Sequence, residues 1–585
     1  MFDYVKANLL KNLRPIQEFS TRIVSLPLKV GFVPTRSTLL VPLFVICITC
    51  GSVVKGYAQE PTWRAREGIP VGVESERYLR ILQLAGRVPL HPWTVRAFTP
   101  QALEGIRPVS GGHPWQDRID FDLRPSRSLD LGWIRPRLEL VSNSAYPFGE
   151  NDGLIWAGRG LTGAASAGGF LRFGRLHVRL APEGFWSENL PFQMAKNGRS
   201  GPESYRDEQA PDLIDRPQRF GDQAYRRLGL GSSAVHLALP GITLGISGAG
   251  QHWGPALHYP LLLGNNSGGF PNIFGQTTTP IDLWAIRLHG RYMFGWPGQS
   301  KFSPLSSGEN QNFAAGAVLA LLPRGLDGLE LGLARFVHTA LPVGGKVTSE
   351  DLLRVFSGVT QETENLASRN QLASAFFRWV VPGAGLEFYG ELVKEDFVRD
   401  IRHAIEEPDD LMGKVLGFQK VWALADGHLA VLRGEGVDAR LHHSERFGRL
   451  RMWDSGGNSG GGKPLPLYMH SGGVSHTHFG QILGSPTAYG GSGWTLGLDW
   501  YNENGRWTVD LSRALRTEFS AIYSGTSGPE VSDVIYALKL EAVRFGDAVE
   551  WTTALVPSLN LNRNLVKEND AFNLSLRFSM NGLPW

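Results

Sequence analysis

Apolar and polar residues alternate with a period of two in one segment after another between residues 133 and 578. Successive side chains of a β-strand point to opposite faces, so Leu288 lies on one predicted face and Arg287, His289 and Arg291 on the other. A single strand of this kind fits a soluble sheet. A soluble β-sandwich rarely extends so far, and the repetition favours an all-β fold, a closed transmembrane barrel of antiparallel strands. The same alternation surrounds Leu138, Val178, Leu237, Phe388, Leu496, Val509, Leu538, Trp551 and Leu574.

The first 58 residues are typical of a cleaved secretion leader. A basic region is followed by an apolar stretch at residues 39–50, which is shorter than the ~18 residues of a membrane helix. Small residues at Gly56 and Ala58 form a signal-peptidase site, so we predict that the mature protein begins at Gln59. The basic region is long, which leaves open an extended leader or a start codon assigned too early.

Charge and cysteine content change when this leader is removed. Residues 1–58 hold seven Lys or Arg and two acids, so the net charge of +3 for the whole chain becomes −2 without them. We therefore expect no nucleic-acid binding. Both cysteines, Cys47 and Cys50, lie in the leader, and their spacing does not indicate a redox or zinc site in the mature protein.

The mature chain divides into two predicted regions. Residues 59–130 are expected to form a helical and irregular region that is not part of the barrel, with an amphipathic helix over residues 74–85. Residues 131–585 are expected to form the barrel and its long loops. A second helix is predicted over residues 217–228, and the glycine-rich run at 454–462 is predicted to be a flexible loop. Predicted girdle positions at strand ends are Trp284, Trp296, Trp494 and Trp500.

Several motifs that could carry chemistry have simpler explanations. The run 457–463 matches G-x-S-x-G and nearly matches a phosphate loop, but it lacks the strand, turn and helix that either mechanism needs. His470, His476 and His478 have a spacing that permits a metal site, although a polar interior or loop face is the favoured interpretation. Acidic pairs such as Glu387 with Glu391, or those within 406–410, leave glycosidase chemistry open. We predict no catalytic residues, metal or cofactor.

Sugar recognition is the chemistry that the loop composition favours. Aromatic faces stack on sugar rings, and planar amides and guanidinium groups bond to hydroxyls and carboxylates. Such residues occur in glycine-rich, non-strand segments, where a role in holding the loops together is the alternative. The predicted polysaccharide-binding residues are Trp156, Arg159, Trp253, Asn265 and Asn266.

The chain resembles the Wzi family of capsule assembly proteins over nearly its whole mature length. The resemblance rests on several short segments in the same order and spacing. They are Asn151-Asp152-Gly153-Leu154-Ile155-Trp156, Pro217-Gln218-Arg219-Phe220-Gly221-Asp222, Gln251-His252-Trp253-Gly254-Pro255, Gly269-Phe270-Pro271, Tyr389-Gly390-Glu391, Glu395-Asp396-Phe397, Tyr468-Met469-His470 and Gly480-Gln481-Ile482-Leu483-Gly484. The long leader and the tail that runs past Phe578 to Trp585 depart from the family pattern.

The resemblance implies an outer-membrane barrel of about eighteen strands with a helical periplasmic plug, and a lectin that tethers capsular polysaccharide to the cell surface. We therefore predict a monomeric, non-enzymatic protein of a Gram-negative outer membrane. Its expected partners are capsular or other extracellular polysaccharide, outer-membrane lipid and lipopolysaccharide. Two alternatives stay open: a porin or solute channel, for which Arg287, His289 and Arg291 would favour anions, and an outer-membrane glycan or lipid hydrolase. Single-channel conductance separates the first, because a plugged lectin conducts little.

Overall fold

The computed structural model describes residues 63–107, 112–121, 129–305, 310–357, 369–395, 412–440, 466–470, 473–516, 531–546 and 549–582. The leader with Cys47 and Cys50, the acids at 396 and 406–410, the glycine-rich run at 454–462 and the aromatic end at Trp585 lie outside these residues.

Eighteen antiparallel strands of the described chain close into one barrel, which confirms the predicted fold. Three of them, β3, β4 and β6, consist of two consecutive short segments that share a neighbour. Closure comes from β18, which pairs with β1 from Ser575 opposite Asn143 to Asn581 opposite Arg137. The strands are β1 (Leu129–Asn143), β2 (Gly160–Phe173), β3 (Leu176–Leu180 and Glu183–Ser187), β4 (Tyr225–Gly229 and Ala234–Leu239), β5 (Ile242–Ser247), β6 (Asn272–Thr277 and Ile281–Leu283), β7 (Ile286–Gly295), β8 (Asn310–Pro323), β9 (Leu329–Pro342), β10 (Arg369–Val381), β11 (Leu386–Glu395), β12 (Met412–Ala423), β13 (Leu429–Asp438), β14 (Ser492–Asn502), β15 (Gly505–Leu515), β16 (Val534–Phe545), β17 (Glu550–Leu561) and β18 (Ala571–Asn581).

The wall has the two faces that the alternation predicts. In β14 the side chains of Leu496 and Leu498 are about half exposed on the outside, whereas Asp499 is fully buried inside. In β7, His289 and Arg291 are likewise buried on the inner face. Each described strand is hydrogen-bonded to a strand on either side, although the segments Tyr225–Gly229 and Ile281–Leu283 pair on one side only. The sheet is therefore closed, and its apolar outer face can contact hydrocarbon.

The two ends of the barrel differ. One end has short turns, such as the two residues between β14 and β15, and the other has long loops, such as that between β5 and β6. Trp500 lies at the short-turn end and Trp494 at the long-loop end, six residues or ~20 Å apart along the same strand. This spacing suits two aromatic girdles on either side of an apolar band. Exposed tryptophans at the short-turn end are Trp133, Trp284, Trp379, Trp422, Trp500 and Trp507.

Residues 63–107 and 112–121 lie inside the barrel and pack against its wall. Helix α1 (Glu74–Leu84) confirms the predicted amphipathic helix, because Tyr78, Leu79 and Leu82 are buried in an apolar cluster. That cluster includes Val421 of β12 and Tyr501 of β14, both near the short turns. A parallel pair of short strands, Trp63–Arg64 and Ile119–Asp120, completes this region. We refer to residues 63–121 as the plug.

The prediction of a helix over residues 217–228 is wrong. Tyr225–Gly229 is the first half of β4 and pairs with Glu183–Ser187 of β3. Pairing with a wall strand satisfies this backbone, so the tertiary context overrides the local preference for helix. Residues before Tyr225 form a loop, held in part by the Asn189 amide, which donates to the carbonyls of Gly221 and Gln223.

The remaining regular elements are short. Helix α2 (Ser349–Leu353) begins with a capping box between Thr348 and Asp351. None of the helices in the described ranges is long and apolar enough to cross a membrane. Two further strand pairs, Val95–Arg96 with His252–Trp253 and Thr477–His478 with Gln481–Ile482, lie outside the barrel sheet. The single turns of 3-10 helix are Ala65–Glu67, Ala102–Ile106, Gln116–Arg118, Gly201–Tyr205, Arg354–Phe356, Pro382–Ala384, Ala425–Gly427, Pro486–Ala488 and Arg563–Leu565.

Candidate functional site

A cavity of about 910 Å³ lies inside the barrel. On one side it is bounded by the plug, including Glu74 and Arg77 of α1, and on the other by inward-facing residues of β13–β18 and β1–β3. Loops from the long-loop end complete its lining. A volume of this size has room for tens of water molecules and is large enough for a small saccharide.

The loop end of the cavity combines aromatic rings with planar polar groups. Tyr146, Phe148 and Trp156 come from the loop after β1, and Phe192 comes from the loop after β3. They lie among side-chain amides and a guanidinium group that also line the cavity. These polar residues are Asn151, Gln218, Asn265, Asn266, Gln481, Arg563 and Asn564.

Trp156 is one of the predicted binding residues that line the cavity, and its side chain is partly exposed. Its ring packs edge-on against Phe220, with ring centroids 5.1 Å apart, and Phe220 in turn stacks on Tyr225 at 4.0 Å. This packing fixes the orientation of the indole while part of its surface remains open to the cavity. A fixed, partly exposed indole is the arrangement that sugar stacking requires.

Asn265 and Asn266 also line the cavity, and both hold loop backbone in place. The Asn265 amide donates to the carbonyl of Asn151 at 2.8 Å, and the Asn266 amide donates to the carbonyl of Ile482 at 2.8 Å. Gln481 donates to the carbonyl of Asn266 at 3.0 Å. The loops after β1, β5 and β13 are thereby joined, so these amides position the site as well as border it.

The other two predicted residues are not part of the cavity lining. Trp253 is fully buried, and its ring meets Phe336 of β9 at a centroid distance of 6.1 Å. A sugar could stack on it only if the loop around it opened. Arg159 donates to the carbonyls of Ser144 and Pro191, and so bridges the loops after β1 and β3.

Sequence reasoning missed Arg563 and its aromatic neighbours. The Arg563 guanidinium lies over the Tyr146 ring at 4.2 Å and over Phe192 at 5.9 Å, and it donates to Asn560 Oδ1 at 3.1 Å. Burial lowers the pKa of Arg563 to about 10, so it remains a cation at neutral pH. A usable signal was present in the sequence: Tyr146 and Phe192 each adjoin a proline in the loop that follows a wall strand.

The motifs considered for catalysis and metal binding have other roles. Glu387 is fully buried and paired with Arg80 at 2.6 Å, and Glu391 accepts a hydrogen bond from Ser374 at 2.9 Å. His476 is hydrogen-bonded to His338 and to the carbonyl of Leu262. Within the part of the chain that the structure describes, no three His, Cys, Asp or Glu side chains are placed to hold a metal ion.

The fold and cavity together define a class: an eighteen-stranded barrel of the outer-membrane type, with a plug in its interior and a cavity that is aromatic and amide-rich at the long-loop end. No protein-family model and no curated protein matches the chain.

Among solved structures, the chain is similar to Wzi of Escherichia coli, described as an outer-membrane protein involved in group 1 capsule assembly and a carbohydrate-binding β-barrel. The TM-score is 0.58 at 14% identity, over 88% of this chain and 99% of Wzi. The predicted resemblance is thus confirmed at the level of fold. OpdO of Pseudomonas aeruginosa matches at a TM-score of 0.35 and 11% identity, over 77% of this chain and 96% of that one. OprD of the same organism matches at 0.35 and 10%, over 78% and 93%. The similarity to OpdO and OprD, at TM-scores of 0.35, supports no argument about function.

Proposed function

We propose that this protein is an outer-membrane lectin that tethers capsular or other extracellular polysaccharide to the cell surface without cleaving it. The observation that carries this proposal is the loop end of the cavity, where the partly exposed Trp156 lies among side-chain amides and Arg563 packs on the buried ring of Tyr146. The shared fold with a carbohydrate-binding barrel is consistent with it. Stacking on a ring face and bonding to hydroxyls would act together on one saccharide unit.

The proposed location places the long loops outside the cell and the short turns with the plug in the periplasm. Aromatic girdles and an apolar outer face support a barrel that spans the membrane, with lipid and lipopolysaccharide around it. We propose that the protein is a monomer and that its leader is cleaved after Ala58.

Within the site, each predicted residue has a proposed role. Trp156 stacks on a sugar ring, and Asn265 and Asn266 supply hydrogen bonds from the adjoining loops. Arg159 supports the site by fixing the loops after β1 and β3, and Trp253 supports it from the packed interior. Arg563 adds a cation that can bind a sugar hydroxyl or carboxylate.

Deleting the gene tests the cellular role. The expected result is polysaccharide released from the cells while total polysaccharide is unchanged, because the protein holds polymer that other proteins make and export. The measurement compares total and cell-bound polymer in wild type and deletant. A loss of total polymer would contradict the proposal and indicate a role in synthesis or export.

Fractionation tests the location. We expect the mature chain to start at Gln59, to sediment with the outer membrane, and to migrate differently on a denaturing gel before and after boiling, because a closed barrel resists detergent. Recovery from the soluble periplasm, with the same migration after heating, would disprove the membrane assignment.

A further inference from the structure

The cavity follows the wall from one end of the barrel to the other. Along β17 it is lined in turn by Glu550, Thr552, Ala554 and Val556, and then by Asn564 in the turn beyond that strand. On β18, Ser579 and Asn581 line it near the short-turn end. A single cavity therefore reaches from the first residue of β17 to the loop after its last, which covers the height of the apolar band.

The lining is polar enough to hold water. Water fills a cavity when the cavity is roomy and offers hydrogen-bond partners, whereas an apolar cavity stays dry. Thr552, Ser579 and Ser512 line the cavity, and all three residues are partly exposed and carry a hydroxyl group. Several charged residues lie between them on the neighbouring strands, so bound waters would have partners along the whole path.

Some charges of the wall pair with one another along the wall. Lys539 lies 3.1 Å from Asp510 and 3.3 Å from Glu541, and Arg137 lies 2.7 Å from Glu139. Each ion pair joins residues on the same or adjacent strands, so it does not close the space in front of the wall. Fourteen Arg or Lys and eleven Asp or Glu side chains line the cavity, so their charges nearly balance and only weak selectivity between cations and anions is expected.

The plug limits the width of this space. Glu74 of α1 binds Arg506 at 2.7 Å, and Arg77 of α1 binds Asp499 at 2.6 Å. These two contacts hold the first turns of α1 against β14 and β15. An open barrel of sixteen to eighteen strands leaves a wide aqueous channel, and here the plug and the loops occupy most of that interior.

We propose that the cavity is a water-filled passage that lets water and small hydrated ions such as K⁺ and Cl⁻ cross the barrel beside the plug. This inference rests on the membrane-spanning barrel of the proposed function and is independent of sugar binding. The conductance is expected to be far below that of an open barrel, and the ratio of K⁺ to Cl⁻ permeability is expected to be close to one.

A pair of adjacent substitutions tests the path. Thr552→Trp places an indole in the cavity, whereas Thr553→Trp places the same indole on the outer face of the same strand, where it would meet lipid. Purified mature protein is inserted into planar bilayers in KCl, after each variant has been shown to be heat-modifiable. We expect discrete conductance steps for wild type, a reduction of at least about twofold for Thr552→Trp, and no change for Thr553→Trp.

Releasing α1 tests the role of the plug. Arg77→Gln removes one contact to Asp499, which keeps Arg433 as a partner, and the conductance should rise. The proposal of a passage would be overturned if heat-modifiable wild type gave no conductance steps. It would also be overturned if Thr552→Trp and wild type had equal conductance. Binding of a short oligosaccharide by the same preparations reports on the lectin proposal, so the two can fail separately.

Discussion

The two ends of the barrel interior are filled in different ways. At the short-turn end, α1 is held by buried ion pairs in which Arg80 and Arg378 both bind Glu387, and Arg378 also binds Glu330. At the long-loop end, Trp156 and its neighbouring amides surround a cavity.

This difference separates residues that hold the interior together from residues that are placed to meet a ligand. A buried charge that protein groups already neutralise is poorly placed to bind a ligand, and removing one partner leaves another buried charge unpaired. A partly exposed ring among amides keeps free surface and free hydrogen-bonding capacity. The comparison therefore predicts that substitutions among the buried ion pairs at the short-turn end affect stability. Substitutions at the loop end of the cavity are predicted to affect saccharide binding.

The largest expected effect comes from the buried ion pairs. Arg378→Ala leaves Glu330 without its cation, and we expect a loss of about 3–5 kcal/mol in the free energy of unfolding. The control is Arg324→Ala, which removes an exposed pair with Asp282 and should cost about 0–1 kcal/mol. Denaturant-induced unfolding in detergent measures both. Equal losses would show that the plug is not held by its buried charges.

Substitutions of Trp253 test whether this residue belongs to the packed interior or binds saccharide directly. Because its side chain is fully buried against Phe336, Trp253→Ala should leave a cavity and cost about 3–5 kcal/mol of stability. Trp253→Phe keeps most of the ring volume and should cost much less. Thermal unfolding followed by the shift in gel migration measures both variants. A stable Trp253→Ala protein that fails to bind oligosaccharide would instead make Trp253 a direct binding residue.

Low pH should loosen both ends of the interior before it affects the wall. Burial lowers the pKa of His113 in the plug and of His476 in a loop to about 4, below the ordinary value of about 6.5. Both are therefore neutral in the folded protein, and their contribution to stability is complete above pH ~6.5 and is lost as pH falls toward 4.

Circular dichroism measures this difference between interior and wall. The near-ultraviolet signal of the buried aromatic residues should fall between pH 6.5 and 4 while the far-ultraviolet signal of the strands is retained. Simultaneous loss of both signals, or no change in either over this range, would contradict the expected order of events.

The wall was predictable from sequence because its pattern is local. Each strand alternates every second residue, so Leu496 and Asp499 are assigned to opposite faces without knowledge of any neighbour. Helix α1 was predictable for the same reason, since Tyr78 and Leu82 recur at helical spacing. The segment 217–228 failed because pairing with β3 decides its conformation.

The site was only partly predictable because it is assembled from loops that are distant in sequence. Trp156 and Asn265 belong to loops after β1 and β5, and closure of the barrel brings Arg563, after β17, beside Tyr146. Composition identified the kind of residue that borders the cavity. Which residue of that kind turns inward, as Trp253 does, depends on packing between loops that no local pattern records.

The central claim is that the loop end of the cavity is a saccharide site. Its most direct test measures how tightly the Trp156→Ala variant binds a short oligosaccharide of the host polysaccharide. A short ligand is used because many repeats would mask one lost contact through avidity. The control is Trp186→Ala, an exposed tryptophan on the outer face of β3. We expect heat-modifiable protein in both cases, a loss of about 1–3 kcal/mol in binding free energy for Trp156→Ala, and none for Trp186→Ala. Folded Trp156→Ala protein that binds the oligosaccharide as tightly as wild type would contradict the assignment of the site.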